Sequence, residues 1–66
     1  MKMIKLTRLN EKKIVINAEM IKFIEETPDT MITLRDSDKV LVRESVDEVI
    51  LKAIEYSRII RNIPGL

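Results

Sequence analysis

Two carboxylate pairs, Glu25–Glu26 and Asp36 with Asp38, are the residues to test first for chemistry. Paired acids suit a hard cation, which takes oxygen ligands. Adjacent side chains on a strand point to opposite faces, so Glu25 and Glu26 do not readily share one ion. Asp36-Ser37-Asp38 has the composition of a turn, where Asp bonds the backbone two residues on. The chain has no His and no Cys. The commonest general base, the strongest nucleophile and the usual transition-metal ligands are therefore missing. Gly65 is the sole glycine, which excludes a Gly-rich phosphate loop. The aromatics are Phe23 and Tyr56 alone, too few for a base-stacking platform. Phe23 is expected in the sheet core and Tyr56 at the edge of a helix stripe. No cofactor and no catalytic activity are expected; an enzyme would need a pocket of convergent Asp, Glu and Lys side chains.

At 66 residues the chain is expected to form one domain, residues 1–66. A domain this small buries only about 60% of the surface its unfolded chain exposes. One core of this size rarely supplies more than about 3–5 kcal/mol, so a staple is usual. Disulfides are impossible without Cys, which leaves self-association, and a homo-oligomer is expected. The net charge of +1 gives no overall basic field for nucleic acid. The sequence has 45% hydrophobic and 35% charged residues, the balance of a folded domain. No stretch approaches the about 20 apolar residues of a membrane span. Met1 to Lys5 opens like a signal peptide, but Lys5, Arg8, Asn10 and Glu11 interrupt any apolar run. A cytoplasmic protein is expected.

The elements that must position these residues read as α+β: a small antiparallel sheet of four to five short strands, over roughly 3–43, followed by one C-terminal helix. Residues 3–8 alternate, with Ile4 and Leu6 on one face. A turn over Leu9 to Lys12 leads to the β-branched run Ile14-Val15-Ile16, completing a hairpin. Residues 20–26 fit a strand, with a helical turn as the alternative, because Thr27-Pro28-Asp29-Thr30 then supplies a turn. Residues 31–35 and 39–43 form a second hairpin, with Ile32, Leu34, Val40 and Val42 facing in. Ser45-Val46-Asp47-Glu48 has capping-box spacing and predicts a helix from Val46 to about Asn62, where Pro64-Gly65 stops it. Val46, Val49, Ile50, Ala53 and Ile60 make its core stripe. Leu51 and Ile59 point elsewhere and, with Ile63, are candidate oligomer or partner contacts.

The order of short segments resembles the FlbD family of flagellar proteins, also called SwrD for swarming motility. The residues are Met3 to Asn10, Ile16-Asn17-Ala18, Phe23 to Thr30, Ile32-Thr33-Leu34 and Val42 to Ile50. Two turns depart from that pattern. The family commonly has Gly where Glu11 stands, and an Asn-Gly-Lys turn where Asp36-Ser37-Asp38-Lys39 stands. The resemblance implies a role in flagellar motility and motor power. A motor or stator component, or a factor that controls them, is the candidate partner. It implies no ligand and no catalytic residue.

Leu6-Thr7-Arg8 and Val42-Arg43-Glu44 before a helix also resemble the CsrA family of small RNA-binding regulators. That resemblance implies RNA contacts at Arg8 and Arg43. Ordinary strand-end charges explain the same residues, and nucleic acid is the less favoured partner.

Overall fold

A computed structural model describes the backbone of residues 2–61 and the side chains of residues 2–54. Tyr56, Ile59, Ile60 and Ile63, and the expected helix end near Asn62, lie outside what it describes of side chains or backbone. The fold is α+β, with two antiparallel sheets and one helix.

Strand β1 (Met3–Thr7) pairs with β2 (Lys13–Asn17), Ile4 opposite Ile16 and Leu6 opposite Ile14. A 3₁₀ turn (Ala18–Met20) follows, its first turn held by Asn17 Oδ1 accepting from the Glu19 N–H at 3.0 Å. Strands β3 (Ile21–Glu26), β4 (Thr30–Leu34) and β5 (Lys39–Val42) then form a meander in that spatial order. Residues 20–26 are thus mainly strand, as their alternation and the following Pro turn predict; the Thr27–Pro28 bond in that turn is cis. Helix α1 (Val46–Arg61) closes the described chain.

The two sheets are stitched together where β1 ends beside β5. Arg8 forms an antiparallel bridge with Val42, and the Arg43 N–H donates to the Thr7 carbonyl at 2.8 Å. The five strands thereby follow the spatial order 2-1-5-4-3. Helix α1 packs on β1 and β3, and the core forms between them. Ile4, Leu6, Ile16, Ile32, Val40, Val42 and Val49 are its buried members, the inward positions that period-2 alternation selects.

Two core assignments are corrected. Phe23 is 46% exposed instead of packed in the sheet core. The cause is a register irregularity between Ile21 and Phe23. Lys22 is the extra residue, and an extra residue resets the in–out alternation. Ile21 and Ile24 therefore both pack against the core, and Phe23 turns outward. Ile50 is 45% exposed instead of joining the core stripe. It lies about 100° further round the helix than Val49. Val49 is fully buried and Val46 and Ala53 partly so, so the buried stripe runs through those three residues.

Candidate functional site

The turns consume most of the polar side chains that sequence alone left open. Asp36 Oδ1 accepts from the Asp38 N–H at 3.1 Å, and Asn10 Oδ1 from the Lys12 N–H at 3.0 Å. Both are local side-chain turns of the kind Asx residues favour. Glu26 Oε1 accepts from the Val46 N–H at 2.8 Å, so a strand carboxylate caps the helix. Ser45 Oγ accepts from the Glu48 N–H at 3.1 Å, the forward half of the capping box. Glu25 lies on the opposite face from Glu26. Among the described residues no group of three or more potential ligands could hold a metal ion.

The junction of the two sheets holds the densest polar cluster. Glu44 accepts from the Thr7 N–H and the Thr7 hydroxyl, each at 2.9 Å, and Lys13 Nζ donates to the same hydroxyl at 2.8 Å. Partial burial pushes the Glu44 carboxyl up. The Thr7 N–H, its own N–H, the Thr7 hydroxyl and the positive charge of Lys52 outweigh that and hold it below its ordinary value of 4.5. Arg43 pairs with Glu11 and donates from Nη2 to the Leu9 carbonyl at 2.9 Å. The bridge to Val42 brings Arg8 alongside, exposed to solvent. Arg8 and Arg43 are therefore neighbours, but the Arg43 guanidinium is engaged in holding the β1–β2 turn.

The surface least explained by folding is apolar. Leu51 is 55% exposed, and Ile50 and Ile54 flank it at 45% and 46%. Residues 50, 51 and 54 fall within one arc of a helix. Leu51 was a predicted contact residue. Ile54 was missed, although its i,i+4 spacing from Ile50 marks the same strip. Asp47 and Glu48 border the strip and are exposed. A second exposed apolar face lies on the outer side of the three-stranded sheet, around Phe23 and Leu41.

The family model for FlbD, described as flagellar and swarming motility proteins, matches residues 3–61. The chain belongs to the FlbD family. The match spans both sheets and the helix. Searches of curated proteins and of solved structures returned no significant match. Among the described residues the non-glycine positions with positive φ are Glu11 at 73° and Ser37 at 75°, one in the turn after β1 and one in the turn after β4. No helix among the described residues is long and apolar enough to cross a membrane.

Proposed function

We propose that this FlbD-family protein sustains flagellar motor power by binding another protein, without catalysis, from the cytoplasmic side. The observation that carries this reading is the exposed strip Ile50, Leu51 and Ile54 on α1. Contiguous exposed apolar side chains rimmed by polar residues mark contact sites on small domains. The acidic border, Asp47 and Glu48, suits a partner that presents an apolar groove edged with Lys or Arg. A component of the motor or of its stator fits the family's association with motility.

The test is tethered-cell torque in a strain lacking the gene, with flagella counted in the same cells. Normal flagellar number with reduced torque is the expected result. Leu51→Asp and Ile54→Asp should reproduce the torque loss at unchanged protein level. Reduced flagellar number with normal torque per motor would move the role to assembly or expression, and no change in either would overturn the reading.

A further inference from the structure

We propose that the outer face of the β3–β4–β5 sheet pairs with the same face of a second copy of this chain. The face is built from two cross-strand rows. Phe23, Thr33 and Lys39 form one, and Glu25, Met31 and Leu41 the other. Phe23 and Leu41 are 46% and 45% exposed at diagonally opposite corners. The other two corners carry opposite charges, Glu25 on β3 and Lys39 on β5.

That pattern is self-complementary. Two identical faces meet about a two-fold axis lying in the plane between them. With the axis along the Phe23–Leu41 diagonal, Phe23, whose ring has the Lys22 ammonium 5.9 Å from its centroid, meets Phe23, and Leu41 meets Leu41 of the second copy. The same rotation lays each Glu25 against Lys39 of the other copy, so the pair forms twice. Strand and row spacings set the crossing of the two sheets at about 70°, nearer the orthogonal than the aligned class.

At the centre of the face Thr33 is already covered within the chain, at 5% exposed, so the contact rests on the four corner residues. The exposed charged residues described beside the helix strip, Asp47 and Glu48, are both acidic, without the paired opposite charges of the sheet face. The sheet face thus serves a second copy and leaves α1 open.

The experiment is sedimentation equilibrium on the full chain from micromolar to millimolar concentration, with circular dichroism to confirm folding. A monomer–dimer equilibrium is expected. Phe23→Ser with Leu41→Ser should weaken it by about 100-fold or more, since each removes an apolar anchor on the two-fold axis. Glu25→Lys and Lys39→Glu should each weaken it by about 10-fold through like-charge contact, and the double swap should recover most of that loss. A monomer at every concentration overturns the proposal. So does a dimer that survives these changes, that fails to recover in the double swap, or that is lost in Leu51→Ser instead. None of these outcomes bears on the torque measurement, so the two readings fail separately.

Discussion

Glu11 and Ser37 hold left-handed backbone conformations, with φ of 73° and 75°. A side chain carrying Cβ pays a steric cost there that glycine does not. Glu11→Gly and Ser37→Gly should each raise stability by up to about 1 kcal/mol in chemical denaturation. The gain at Glu11 is reduced slightly by loss of its ion pair with Arg43, which is exposed and worth little. Glu44 behaves in the opposite sense. Glu44→Ala leaves the buried Thr7 N–H and hydroxyl without their acceptor, at a cost of about 1–3 kcal/mol. Its folded carboxyl lies below 4.5, so the stability it contributes is complete above that pH and is lost as pH falls through the folded value. Acid titration of stability should therefore fall less steeply below pH 4.5 in Glu44→Gln than in the parent.

Strand and helix positions were legible because period-2 and 3.6-residue patterns select the apolar core. Ile4, Leu6, Ile32, Val40, Val42 and Val49 all lie where their periodicity puts them. Phe23 and Ile50 do not. The strand exception is informative. No residue type in Ile21-Lys22-Phe23 announces an irregular register, since the irregularity arises from pairing with β4, and pairing is not local. The helix start was equally legible, because Ser45 and Glu48 are three residues apart on the same local segment. The cap supplied by Glu26 was not, because it comes from 20 residues away. The candidate site was legible at Leu51 but not at Ile50, whose exposure depends on how the helix packs on the sheets. Ser45→Ala should cost about 1 kcal/mol, seen as a lowered denaturation midpoint, because the cap oxygen has no replacement in that side chain.

The molecule rests on very few buried side chains. Leu6, Ile32, Val42 and Val49 are the large residues that are fully buried among those described, and they come from β1, β4, β5 and α1 respectively. Each therefore ties a different element to one small core. Leu6→Ala should cost about 2–5 kcal/mol, which matches the whole stability expected of a domain this size. The expected outcome is an unfolded chain by circular dichroism at room temperature, whereas Val15→Ala, at a position 51% exposed, should leave the transition within about 0.5 kcal/mol.

The backbone stitch between the sheets has a consequence for how the native state breathes. Each sheet is made of neighbours in sequence, and the stitch is the described backbone pairing that joins chain segments more than 30 residues apart. Proteins open in contiguous units, and a unit held by few long-range bonds opens at lower free energy than the global transition. The Arg43 amide, bonded to the Thr7 carbonyl across that stitch, is then a single-site reporter of sheet separation. In native-state hydrogen exchange it should lose protection earlier than the amides inside β4. Its exchange rate would measure how often the two sheets part while each stays intact.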